Sequence, residues 1–159
     1  MDQDAKKTAL LMIPYGLQVV GARAGDAATL GTVNWTTQAS FTPPLIVVGI
    51  KADSGMHALI KESGAFSVSF LGTGQKDVAF AFFRHVEPEG SQIGGYDVTP
   101  GPVTGCPTLD VAPAWVECTV AGFYELGDHS TVVGEVVEAG VASESEPLTL
   151  AEVGVKYGG

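Results

Sequence analysis

The residues able to do chemistry in this chain fall in three places. The first is Thr32-Val33-Asn34-Trp35-Thr36-Thr37-Gln38-Ala39-Ser40-Phe41, closed off by Pro43-Pro44. It is dense in hydroxyl and amide groups. A strand and loop built from it would offer side-chain and backbone donors to a polar heteroaromatic ligand, or form an ordinary solvated strand face. The second is Lys51-Ala52-Asp53-Ser54-Gly55-Met56-His57. A lysine leaves an apolar strand, Ser54 suits a helix N-cap, and His57 falls in the first helical turn. Free N–H groups at a helix start attract anions and Lys51 adds charge, so this is either a phosphate site or a plain cap with solvent-facing neighbours. The third is Gly127-Asp128-His129. It reads as a hairpin turn, or as an Asp–His pair at the mouth of a site, where the carboxylate fixes the donor and acceptor roles of the imidazole.

Other signatures of chemistry are missing. No GxGxxG follows a strand, and no GxxxxGK precedes Ser or Thr, so neither standard nucleotide cradle is expected. Gly72-Thr73-Gly74-Gln75-Lys76 reads as a turn into a helix. His57, His85 and His129 lie far apart, and there is no HExxH or CxxC, so no metal site is expected. No GxSxG nucleophile elbow occurs.

The elements that must position these segments are mostly strands. Leu17–Ala22, Leu30–Thr37, Leu45–Ile50, Phe66–Phe70, Val116–Glu125 and Thr131–Val141 are rich in β-branched and aromatic residues. Leu45–Ile50 is continuously apolar, which predicts a strand buried on both faces. Phe66, Val68 and Phe70 alternate with serines at the strand period. Ser54 caps a helix from Gly55 to about Glu62, with Met56, Leu59 and Ile60 as its apolar stripe, and Gly64 ends it. A second helix is expected from Gln75 to Phe83. Arg84–Pro107 is full of turn formers and reads as a long surface excursion. Strands with a few small helices and many glycines suggest a closed barrel.

Composition narrows the partners. The 159 residues include 21 glycines and carry 8 Lys+Arg against 18 Asp+Glu, a formal charge of −10. So acidic a chain has no general attraction for nucleic acid or an anionic membrane, and any anion must be held by a few local donors. The length fits one domain over residues 1–159. The only cysteines, Cys106 and Cys118, make no disulfide framework and are expected as free thiols. The apolar run Ala9–Ile13 stops at Pro14 with no cleavage site behind it, and no run of about 20 apolar residues occurs. The expectation is a soluble cytoplasmic protein.

Together these segments resemble the flavin reductase-like family of FMN-binding split β-barrels. The resemblance runs from about Ile13 to Val141. It starts at Ile13-Pro14-Tyr15-Gly16, passes through Thr32–Phe41 with Pro43-Pro44, Lys51 with the Ser54–Ile60 helix start, and Phe66–Leu71, and closes with Trp115–Cys118 and Gly127-Asp128-His129 leading into Val133–Val136. It implies a mainly β fold, a split β-barrel of six or more antiparallel strands in Greek-key order with two or more short helices. It also implies a homodimer, with FMN held non-covalently and NADH or NADPH as co-substrate. By that similarity Thr32, Val33, Asn34, Trp35, Thr36 and Thr37 would lie along the isoalloxazine ring. Gln38, Ala39 and Ser40 would bond the ribityl chain or phosphate, and Lys51, Ser54 and His57 would hold the phosphate. Asp128 and His129 would stand on the substrate side, and Tyr157 near the flavin edge. Arg84–Gly105 departs from the family pattern. The activity implied is hydride transfer from NAD(P)H to flavin. The rival readings are an FMN-holding electron carrier that docks a basic redox partner, and a non-redox small-ligand barrel.

Overall fold

The computed structural model describes all 159 residues. The chain runs as α1 (Gln3–Leu10), β1 (Gln18–Ala24), β2 (Ala27–Val33), β3 (Thr36–Phe41), β4 (Pro44–Lys51), α2 (Gly55–Ser63), β5 (Ala65–Phe70), α3 (Lys76–Ala81), β6 (Pro88–Glu89), β7 (Gln92–Ile93), β8 (Tyr96–Pro100), β9 (Pro107–Leu109), β10 (Ala114–Tyr124), β11 (His129–Val141) and α4 (Leu150–Val153). Seven strands form one antiparallel sheet in the order β2-β1-β5-β10-β11-β4-β3. Consecutive strands β4 and β5 are separated in space by the β10–β11 hairpin, a Greek-key connection that α2 spans. The end strands β2 and β3 do not pair, so the barrel is split, not closed as the strand count suggested.

Two apolar cores hold the sheet. Val20, Ala22, Ile46, Val48, Ile50, Phe66, Val68, Cys118 and Val132 pack with Met56 and Ile60 of α2. Alternation along β1 sends Val19 to the other side, where Leu17, Leu30, Leu71, Val78, Phe82, Ile93, Leu109 and Leu148 pack together. The α2 helix starts at its Ser54 cap and stops at Gly64, whose φ of +68° is a left-handed conformation that glycine adopts without a Cβ penalty.

Several local expectations are corrected. Leu30–Thr37 is not one strand: the sheet breaks at Asn34-Trp35, which carry the chain from β2 to β3. Only one face of β4 is fully buried, through Ile46, Val48 and Ile50; the other face stays half-exposed. The second helix is shorter than expected, Lys76–Ala81. Arg84–Pro107 is not a bare excursion. It folds into the four-stranded sheet β6-β7-β8-β9, because Ile93, Cys106 and Leu109 are buried beneath it. No signal pointed to α1 or to the single turn of α4. Cys106 and Cys118 are buried and unpaired. No helix is long and apolar enough to cross a membrane.

Candidate active site

The site starts where β2 ends. The Thr32 N–H donates to the Phe82 carbonyl at 3.0 Å and its hydroxyl donates to the Ala79 carbonyl at 2.6 Å. These bonds fasten the exit of α3 to the edge of β2. Asn34-Trp35 then cross to β3, and the Trp35 carbonyl accepts the Gly49 N–H at 2.8 Å. A Cβ at Gly49 would fall 3.0 Å from the indole Cε3, so only glycine lets the Trp35 ring lie flat across β4. Between the β2 end, the start of α2, residues 82–85 and the chain's last turn lies a cleft of about 370 Å³.

One end of the cleft is built to receive an anion. The Ser54 hydroxyl accepts the His57 N–H at 3.2 Å and donates to the Lys51 carbonyl at 2.7 Å. That leaves the N–H groups of Gly55 and Met56 without a protein acceptor, and both residues line the cleft. Lys51 lines it too, with its ammonium 3.0 Å from Asp53. The shared hydrogen bond holds the Asp53 carboxyl below the usual range and lifts Lys51 above its own. Both side chains are exposed, so the pair is weak and available for exchange with a stronger anion.

Next to this anion site, His129 leads β11 directly opposite Lys51 of β4. Its Nδ1 lies 3.1 Å from the Asp128 carboxylate and its Nε2 lies 3.0 Å from the Tyr157 hydroxyl. Trp35 packs against both rings, with centroids 4.6 Å from His129 and 5.6 Å from Tyr157. The Asn34 amide reaches the Tyr157 carbonyl at 3.4 Å. The bond to His129 pulls the Asp128 carboxyl below the usual range. The segment is thus both the reversal between β10 and β11 and a true Asp–His pair.

The structure gathers Thr32, Val33, Asn34, Trp35, Lys51, Ser54, His129 and Tyr157 around one cleft. Asp128 stands just outside it, exposed, behind His129. Thr36 is half-buried beside Trp35, its hydroxyl sequestered without a partner. Thr37, Gln38, Ala39 and Ser40 do not reach the cleft, because past Trp35 the strand turns onto the outer edge of β4. His57 is turned away from it too. Its imidazole is buried, 2.8 Å from the Ser130 hydroxyl and edge-on to Phe123, so only its backbone serves the helix start. The free N–H groups expected at this helix start are those of Gly55 and Met56. Sequence reasoning missed Phe83 and Arg84, which reach the cleft only because Phe82 is pinned in the core.

One test of ligand fit is the indole Nε1 of Trp35. It is buried with no hydrogen-bond partner, in a residue that lines the cleft. Such orphaned groups are costly unless a ligand satisfies them. The Trp35 wall and, in the same cleft, free N–H groups beside a lysine fit an aromatic ring system carrying a phosphate.

Comparison with known proteins finds relatives that match most of the chain. A family model described as "Flavin reductase like domain" matches residues 10–159. The NADH-dependent flavin reductase StyB of Pseudomonas fluorescens is 30% identical over 164 residues, covering 100% of this chain and 91% of that protein. An NADH:FAD oxidoreductase of Streptomyces globisporus, solved in complex with NAD and FAD fragments, is similar with a TM-score of 0.75 and 29% identity, over 90% of this chain and 84% of the other. BorF, the flavin reductase component of a bacterial two-component tryptophan halogenase, is similar with a TM-score of 0.77 and 29% identity, over 92% of this chain and 91% of the other.

Proposed function

The chain belongs to the flavin reductase-like family, and from that membership we infer an enzyme that reduces flavin at the expense of a reduced nicotinamide nucleotide. The relatives named above are an NADH-dependent flavin reductase and a protein solved with NAD and FAD fragments. We take the flavin of this chain to be FMN, bound without a covalent link, and residues 1–159 to act as one domain. When bound, the flavin supplies the hydride-accepting chemistry. What the chain's own residues do is bind, orient and exclude water.

The observation that carries this reading is one cleft that joins the free N–H groups of the α2 start and Lys51 to the Trp35 wall. Lys51 and the Gly55 and Met56 N–H groups hold the phosphate, and Ser54 caps the helix from which those N–H groups project. Thr32, Val33, Asn34 and Trp35 back the ring, and Trp35 Nε1 is the unpartnered donor of that wall. His129, set by Asp128 on one nitrogen and Tyr157 on the other, positions the nicotinamide face. No side chain is required to move a proton.

A homodimer is part of the reading. Val47 and Val133, paired across β4 and β11, are half-buried on the outer face of the sheet, and Phe41 is 88% exposed at its edge. These side chains suit cover by a second copy. A cytoplasmic setting would keep the two buried thiols reduced. The charge of −10 favours docking to a basic redox partner, and BorF is itself one component of a two-component tryptophan halogenase. The test is steady-state oxidation of NADH and NADPH with added FMN or FAD. Turnover that needs both flavin and nicotinamide supports the reading. Absence of turnover with every pair, in protein that still binds FMN, overturns it in favour of an electron carrier.

A further inference from the structure

We propose that Lys156–Gly159 is a strap over the nicotinamide seat: the Tyr157 ring fills that seat against Trp35 and His129, and the nucleotide enters by displacing it. The inference rests on the reading of the cleft as a flavin and nicotinamide site.

The strap has a firm root and a loose body. Thr149 caps α4, Leu150 is 8% exposed, and the Leu150 N–H donates to the Tyr15 carbonyl at 2.9 Å. The root ends at Val155, which packs against the core that holds Leu17. From Val155 onward no backbone group joins a backbone–backbone hydrogen bond. Two hydrogen bonds hold the strap, both through Tyr157. Its carbonyl accepts from the Asn34 amide at a long 3.4 Å, and its hydroxyl meets His129 Nε2 at 3.0 Å. Beyond Tyr157, Gly159 rests against Lys7 of α1 without a hydrogen bond. A segment rooted at one end and held by so few bonds opens at low cost, as lids do.

Tyr157 covers the groups a nicotinamide would use. His129 Nδ1 is engaged by Asp128 at 3.1 Å, so with Tyr157 in place neither ring nitrogen is free. Trp35 is shared in the same way, its indole 5.6 Å from the Tyr157 ring, centroid to centroid. A phenol is a planar ring with one hydrogen-bonding group. A nicotinamide is a planar ring with a carboxamide, and it needs the same wall and the same nitrogen. The two cannot be held there together, so the phenol is a stand-in that binding must expel.

Room for the displaced ring lies beside the strap. A cavity of about 640 Å³ is lined by Leu11, Ile13, Pro147 and Ala151 together with Lys156 and Tyr157. Tyr157 lines the cleft as well, so its ring stands between the two spaces. The apolar lining of the second cavity suits a phenol ring with its hydroxyl left toward water.

The experiment compares wild type, Tyr157→Phe and Tyr157→Ala, all loaded with FMN. Calorimetry reads the dissociation constants for NAD+ and NADP+, which bind without turnover, and steady-state assay reads KM for NADH and NADPH. A seat filled by Tyr157 lowers apparent affinity by the fraction of molecules in which it is free, so emptying it tightens binding. Tyr157→Ala should bind the preferred oxidised nucleotide about three- to tenfold more tightly and show a lower KM, while the dissociation constant for FMN changes less than about twofold. Tyr157→Phe loses only the bond to His129 and should fall between. Nucleotide binding that is unchanged or weaker in Tyr157→Ala makes Tyr157 a wall of the site, not its occupant, and overturns the proposal. So does an equal change in FMN affinity. Wild-type protein that holds FMN yet neither binds nor oxidises either nucleotide would instead overturn the reading beneath it. Tyr157 is 46% exposed and belongs to neither apolar core, so both variants should fold.

Discussion

Glu117 is the residue whose removal should cost this fold most for a single polar group. It lies on β10 with 0% of its surface exposed. Its carboxylate accepts the N–H of Val103 at 3.1 Å, the N–H of Thr104 at 2.7 Å and the Thr104 hydroxyl at 2.6 Å. Those bonds gather residues 101–106 over β10, and the Thr104 hydroxyl in turn accepts the Cys106 N–H at 3.2 Å. A hydrogen bond to a charged group contributes about 1.5–3 kcal/mol. Desolvation of the carboxylate offsets part of the sum, so Glu117→Ala should cost about 3–5 kcal/mol. Glu117→Gln keeps the shape but turns an amide N–H₂ toward one of the donors, and should cost about 2 kcal/mol. Thr104→Val removes the shortest bond and should cost about 1–2 kcal/mol. Urea unfolding followed by the fluorescence of Trp35 and Trp115 reads these values as shifts in midpoint at constant slope. On heating, the Glu117→Ala variant should melt roughly 6–20 °C lower, at about 2–4 °C per kcal/mol for a chain of this size. FMN affinity should hold, since neither Glu117 nor residues 101–106 line the cleft. A cost for Glu117→Ala below about 1 kcal/mol, or a Gln variant less stable than the Ala variant, would refute the reasoning.

Lys51→Glu should weaken FMN binding by about tenfold or more and make it less sensitive to salt, whereas Asp53→Asn should strengthen it by releasing the lysine; fluorescence titration at two salt concentrations reads both. Ser54→Ala should lower stability by about 1 kcal/mol while FMN affinity changes little, because that hydroxyl is spent on the cap; urea unfolding and FMN titration separate the two effects. Burial pushes the Cys118 thiol up to about 12 and raises Cys106 as well. Neither should react with a thiol reagent at about pH 8 until the protein unfolds. Unfolded thiols ionise first as pH climbs past the ordinary value of 9.0, so stability should fall between there and about 12; urea midpoints across that range check the sign.

Much of this site can be read before folding because it is written in side chains. Ser54 and Gly64 announce both ends of α2, and Gly127-Asp128-His129 announces the reversal and the Asp–His pair together. What stays hidden is what depends on distance in space. His57 carries a side chain suited to an anion, yet its burial beside Ser130 and Phe123 takes it out of the cleft. The proposed phosphate donors are instead the Gly55 and Met56 backbone groups, legible only through the Ser54 cap that marks the helix start. Gln38 and Ser40 look like ligand residues until the break at Asn34-Trp35 sends them to the outer edge of β4. The Arg84–Pro107 segment is rich in Pro and Gly, and its short strands of 2–5 residues lack any period long enough to detect. Only the burial of Ile93 and Leu109 explains why they are ordered.

The most direct test of the central claim is an anaerobic mixing experiment in which protein loaded with FMN meets NADH. The account predicts rapid loss of the oxidised flavin's visible absorption, at a rate that saturates with NADH and falls sharply in Trp35→Ala, which removes the wall shared by the flavin ring, His129 and Tyr157. Bleaching no faster than that of free FMN with NADH, or an undiminished rate in Trp35→Ala, would contradict it.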